Sequence, residues 1–258
     1  MNCKSLSRVA IGVVAMMVVT KGSGAQATTA LPAGSAIVAK YSAAVGGPSY
    51  VKAKSIVTKG AMSMPAQGIS ATFEMTLVSP NQMQMVTNIP GMGLVQIGFD
   101  GTTAWSMDPM QGPRVLAGGE LDQIRDESDR RGAVRMAEMF TSVETVADTT
   151  MNSERCYLVK LTWKSGRETF DCYSPTTGLI VASRSVQKTA MGDIPVVTLF
   201  SDYKKFGDVT VATKSVQEAM GQQQVFTITS VEMGDGTGIT IAPPAAVQAL
   251  AKPATPAK

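Results

Sequence analysis

The chain has 258 residues, of which 44% are hydrophobic and 17% charged, so it carries enough apolar material for a folded core. It contains no histidine, which excludes Ser-His-Asp triads, Cys-His dyads, His metal sites and His-based pH switches. The net charge of +3 resides in Lys4, Arg8 and Lys21. The rest of the chain is neutral and not built to neutralise phosphates, so nucleic acid is not an expected partner.

Residues 1–27 read as a signal peptide. Lys4 and Arg8 precede the apolar run Val9–Val19, and Ala25-Gln26-Ala27 is a small-x-small signature that predicts cleavage after Ala27. The run has 11 residues, against the roughly 20 needed to span a bilayer. Cys3 precedes the run and is not placed for lipid modification. The expected product is a soluble protein of the periplasm, not an integral membrane protein.

Ala33–Val45 has helical composition and meets Gly46-Gly47-Pro48, the punctuation of a helix end. From Ser55 the pattern changes to short apolar-polar runs broken by Gly, Pro, Asn and Asp. Strands are predicted over 55–63, 69–78, 82–88, 93–99, 102–107 and 113–117, with Asp100-Gly101 a strong tight-turn signal. Gly118-Gly119 opens a charged and helical stretch to about Phe140. Leu121, Ile124 and Ser128 form one apolar face, and Ala133, Met136, Ala137 and Phe140 a second, with a break near Gly132. Strands resume over 143–149, 155–163, 167–173, 179–187, 194–202, 208–218 and 223–233. The Ala/Pro-rich segment from Pro243 reads as a disordered tail over 243–258. Residues 28–242 are one expected domain.

Consecutive strands on short turns pair antiparallel. The expected fold is mainly β: about 11–13 strands in one large curled sheet, an incomplete barrel. An N-terminal helix and a helical insertion, which packs on the concave face as a lid, complete it. Cys156 and Cys172 flank a predicted hairpin and suit a disulfide in an oxidising compartment, with two buried free thiols as the alternative.

Little in the sequence suits catalysis. The acids and arginines of 120–131 read as a solvated helix face. Gly234–Gly238 is glycine-rich but opens no helix, and no G-x-S-x-G elbow is present. No cofactor and no metal ligand set is predicted. Methionine is the informative excess, with 17 in the chain and eight of them between residues 62 and 110. Met62/Met64 and Met83/Met85 are spaced by two, so each pair shares a strand face. Such flexible thioethers, with Met75, Phe73, Ile97 and Trp105, would line a surface for variable apolar shapes. An ordinary core is the plain alternative. A Cu(I) site is a third reading, since thioethers favour that ion.

Four segments resemble a known family. Asp100, Gly101, Trp105, Asp108 and Pro109 are similar to the D-G-x-x-x-W-x-x-D-P run of the LolA/LolB-like outer-membrane lipoprotein-sorting superfamily. Phe170–Ile180, with Gly178 and Leu179, resembles its D-x-x-T-G-L strand-turn-strand, and Phe200–Tyr203 the f-x-d-y that follows. Tyr41–Gly47 is similar to the short helix ending in Gly-Gly of exported members. The resemblance covers most of residues 36–233. It implies a half-open barrel that holds acyl chains, with helices closing its mouth. No residue maps onto the arginine with which the family locks its lid. The expected function is a non-enzymatic carrier of lipid, lipoprotein acyl chains or another apolar ligand. Met62, Met64, Phe73, Met75, Met83, Met85, Ile97 and Trp105 would line it, and Leu121, Ile124, Met136 and Phe140 would belong to the lid. Envelope membrane proteins are further expected partners. A ligand-free envelope module is the alternative.

Overall fold

A computed structural model of the chain describes residues 30–251. The leader, its cleavage site and residues 252–258 lie outside the described residues. Thirteen strands form one sheet: β1 (Ser55–Met64), β2 (Ile69–Val78), β3 (Gln82–Ile89), β4 (Gly93–Phe99), β5 (Ala104–Asp108), β6 (Gly112–Leu116), β7 (Phe140–Met151), β8 (Glu154–Trp163), β9 (Glu168–Tyr173), β10 (Ile180–Thr189), β11 (Gly192–Phe206), β12 (Val209–Ala219) and β13 (Gln222–Gly234). Their order is β6-β5-β4-β3-β2-β1-β13-β12-β11-β10-β9-β8-β7, and all neighbours pair antiparallel. Two up-and-down meanders are thus joined by the single non-consecutive ladder β1–β13.

The sheet does not close, because β6 and β7 are its edges. It curls nonetheless. Helix α3 (Gly119–Ser128) touches both β5 and β10, which stand far apart in strand order. Register shifts at Lys59/Gly60, Phe140/Ser142, Thr145/Ala147 and Ile180/Ala182 supply local bends. Gly60 marks one of them: a Cβ there would overlap the Phe73 ring and the Thr227 carbonyl.

Helix α1 (Gly34–Ala44) lays Ile37, Val38 and Tyr41 on the concave face of β7–β9, against Val159, Leu161 and Tyr173. Gly46-Gly47-Pro48 does more than stop it. Gly46 takes a left-handed conformation (φ 76°), and Pro48 sits in the first turn of a second helix, α2 (Gly47–Lys52). That helix places Tyr50 against Ile56 and Leu77. The predicted insertion is helix α3, then the one-turn α4 (Arg130–Ala133) capped by Asp129, then a 3-10 turn over Ala137–Met139. The break falls at Asp129, not Gly132, because the Asp129 carboxylate accepts from the Arg131 N–H and starts a new helix.

Two expectations need correction here. Phe140 is not in the lid: it is the first residue of β7, edge-on to Trp163 at 4.7 Å. The segment from Pro243 is not disordered over Ala245–Ala251, which form helix α5. Ala/Pro composition misled because one side chain decides the matter: Val247 is fully buried against Trp105 and Ile241.

Cys156 and Cys172 are disulfide-bonded between β8 and β9, with Cα atoms 5.4 Å apart. They lie among Leu158, Val181 and Ala182, on the face opposite α1. A bridge closing a loop of this size contributes about 3 kcal/mol on a chain-entropy view.

Candidate functional site

Directly opposed residues in an antiparallel ladder share a face. The register therefore settles which of the nominated lining residues belong together. Met62 opposes Ala71, Met75 opposes Met85, Leu77 opposes Met83, and Met85 opposes Ile97. Met62, Met64, Phe73, Met75, Met83, Met85 and Ile97 thus occupy one face, the concave one that α3 closes. Part of this set forms a cluster with Ala71, Ile89, Phe226 and Ile228. Every member of that cluster comes from β1, β2, β3 or β13, and none from a helix. Met64, Met75, Met85 and Ile97 stay partly exposed.

Trp105 does not join them. It opposes Gly98, whose Cβ would overlap the indole, and both point to the outer face. Val78, Ile241 and Val247 bury it completely, and its Nε1 has no partner among the described residues. The rest of the family motif makes turns. The Asp100 carboxylate accepts from the N–H groups of Thr102 and Thr103, and that of Asp108 from Met110 and Gln111. Gly101 (φ 100°) and Gly178 (φ 75°) take conformations that favour glycine. Pro109 lies over Gly93, and Leu179 packs on the α1 cluster.

Of the nominated lid residues, Leu121 and Ile124 pack on Phe99, Ala104 and Leu116. Met136 meets the Ser42 hydroxyl with its sulfur at 3.0 Å. Beneath α3 lies a cavity of about 230 Å³, bounded by Ile97, Ser106, Arg114, Ile124, Gln187 and Met191. Ligand pockets generally start near 300 Å³, so the space under α3 is tight as it stands. Ile97 lines this cavity and also opposes Met85, so the cavity adjoins the methionine strip at one residue.

The acids of α3 form only in part the solvated face read from the sequence. Asp122–Arg125 pair within the helix at 2.7 Å. Glu120 reaches Arg114 on β6 at 2.9 Å, and Asp126 reaches Arg167 at 3.2 Å and the Ser165 hydroxyl at 2.7 Å. The backbone N–H of Lys188 donates to the Gln123 side chain at 3.0 Å. These contacts tie α3 across the curl.

A buried polar cluster went unnoticed in the sequence. Asp171 on β9 is fully buried on the concave face. Its carboxylate accepts from the Ser183 hydroxyl at 2.6 Å and the Tyr173 hydroxyl at 3.2 Å. It pairs with Arg135, immediately after α4, at 3.0 Å. Arg135 sits at φ 53°, a conformation that costs a non-glycine residue of order 1–3 kcal/mol. The turn aims its guanidinium into the curl, where it also lies 5.4 Å from the Trp163 ring centre. Burial alone would lower the Arg135 pKa, but Asp171, with Tyr173 and Tyr41, outweighs burial and raises it. Burial and then the Asp171 carboxylate push the Tyr173 hydroxyl well above its usual range, against Arg135. Neither group changes protonation near neutrality. The signal for Asp171 was an acid at an inward position between Thr169 and Tyr173. Its partner could not be found by spacing.

No group of three or more acids or cysteines among the described residues is placed to hold a metal. No family model matches the chain, and no curated protein matches it. Solved structures do. A LolA superfamily protein from Nitrosomonas europaea superposes with a TM-score of 0.54 at 12% identity, over 80% of this chain and 95% of that one. A DUF1329 family protein from Desulfovibrio piger gives 0.52 at 12% identity, over 79% and 95%. At such low identity the likeness speaks for the fold, and the chain has a LolA-like fold.

Proposed function

We propose that the protein is a non-enzymatic periplasmic carrier that holds acyl chains of a lipid or lipoprotein on its methionine-lined concave face. One observation carries this reading: an apolar strip of Met, Phe and Ile runs along that face, drawn from four strands, with no helix residue in its cluster. Flexible thioethers accept variable apolar shapes, and burial of a chain there gains about 25 cal/mol per Å². The gate is α3. Its Asp122–Arg125 pair is half-exposed and weak, about 0–1 kcal/mol, so the contacts that opening must break are Glu120–Arg114 and the more covered Asp126–Arg167. The buried Arg135–Asp171 pair keeps the following segment anchored while α3 moves. An export signal in residues 1–27 would deliver the protein to the compartment where such cargo travels.

Native mass spectrometry of protein purified without detergent tests this. Extra mass that organic extraction removes, with lipid in the extract, is the expected result. Met64→Asp and Met85→Asp should lower uptake of a fluorescent fatty acid at least tenfold while leaving the fold intact, since both side chains are partly exposed. A clean mass with no uptake would favour the second reading, a ligand-free module with a filled interior. The burial of Met62, Phe73 and Met83 is what supports that alternative.

A further inference from the structure

Strict antiparallel order puts the turns of the sheet at two ends, and the two ends differ in chemistry. At one end lie the turns β2–β3, β4–β5, β7–β8, β9–β10 and β11–β12, built around Ser79–Asn81, Asp100–Thr103, Asn152–Ser153, Ser174–Gly178 and Gly207–Asp208. These are ordinary polar turn residues. Of the six tips at the other end, β1–β2 and the charged β8–β9 carry none, and four present a methionine: Met92 (44% exposed), Met110 (80%), Met191 (88%) and Met220 (78%). They belong to β3–β4, β5–β6, β10–β11 and β12–β13 respectively.

Turn geometry does not ask for methionine. Met220 sits at φ 52° before Gly221 at φ 73°, where Asn-Gly would be the unstrained choice. Strain accepted for an exposed apolar side chain is a sign that the side chain has a use. The tips form a connected rim. Gly93 lies against Pro109, and Gln67 donates to Gln222 across the β1–β2 and β12–β13 tips. Gln111 and Met191 line the same cavity mouth. Charge at these tips is sparse: Lys188 pairs with Asp193 at 2.5 Å, Asp108 accepts from its own turn, and Glu218 is exposed.

We propose that this methionine rim is a docking surface for a lipid bilayer, inserted shallowly with the mouth of the concave face toward the membrane. A protein partner would need a contiguous, shape-complementary apolar core. Four single side chains on separate tips, spaced by Gly and Gln, do not make one. A fluid interface takes up such side chains one by one, with no fitted counterpart. The polar turns of the opposite end stay in water.

Flotation with vesicles of phosphatidylcholine containing a minor fraction of phosphatidylglycerol tests the proposal on the intact protein. The protein should float with the vesicles. The variant M92S/M110S/M191S/M220S should lower the bound fraction at least tenfold with an unchanged near-UV circular dichroism spectrum, and the corresponding Met→Leu variant should restore it. An environment-sensitive probe attached at Met110→Cys should shift to the blue on adding vesicles, and one at Thr102→Cys should not. Failure of the native protein to float, equal flotation of the serine variant, or an equal shift at position 102 overturns it. Capture of a membrane protein in place of vesicles, lost in the serine variant, would assign the rim to a protein partner and also overturn it. Ligand on the concave face does not enter the readout, so this result is separate from the carrier reading.

Discussion

Asp171 is the residue whose environment leaves least freedom. It is fully buried, and its two carboxylate oxygens are taken by Ser183, Tyr173 and Arg135. Removing one partner of a buried pair strands the other charge and typically costs 3–5 kcal/mol, whereas replacing both can be nearly neutral. Arg135→Met should therefore destabilise the protein by about 3 kcal/mol in denaturant unfolding. The double variant R135M/D171L should recover much of that loss. If the single and double variants lose stability equally, Arg135 acts through packing on Trp163, and the ion pair is incidental. The pairing illustrates what a sequence conceals: the inward place of Asp171 follows from strand alternation with Thr169 and Tyr173, but its partner is supplied by a turn between two short helices.

At the level of elements, the strands were legible because each is bounded by residues with a local reason to turn. Asp100-Gly101, Asp108-Pro109 and Gly178 make their turns with their own backbones and side chains, and strand limits follow. What was not legible depended on tertiary context. Helix α2 hid behind Gly46-Gly47-Pro48, which reads equally as a stop and as a start. The face of Trp105 could not be assigned because its cover, α5, lies far along the chain and looks unstructured by composition. The α5 contact has a direct test. Val247→Asp places a charge in a fully buried apolar site and should cost at least about 2 kcal/mol. With only Trp105 and Trp163 present, emission should move to the red as Trp105 becomes wet. An unshifted spectrum would mean that Val78 and Ile241 keep the indole dry without α5.

For the molecule as a whole, the curl follows from a run of hairpins, a few bulges and one long-range ladder, while its contents follow from which face the register turns inward. The sequence shows the period-two spacing of Met62/Met64 and Met83/Met85 but not that both pairs share a face with Ile97; only the pairing of distant strands decides that. The β1–β13 ladder has a consequence for covalent continuity. The two meanders, β1–β6 and β7–β13, are each continuous in chain and meet along that ladder, with Tyr50 of α2 packed on both. The peptide bond that links them can be opened at the exposed Gly118-Gly119 without cutting a strand. Fragments 28–118 and 119–258, each made behind its own export signal in one cell, should reassemble into a non-covalent pair that copurifies and retains the native spectrum. Each fragment alone bares a long strand edge, β1 or β13, and should aggregate. On this view the fold is a heterodimer written on one chain, with the helical insertion as its tether.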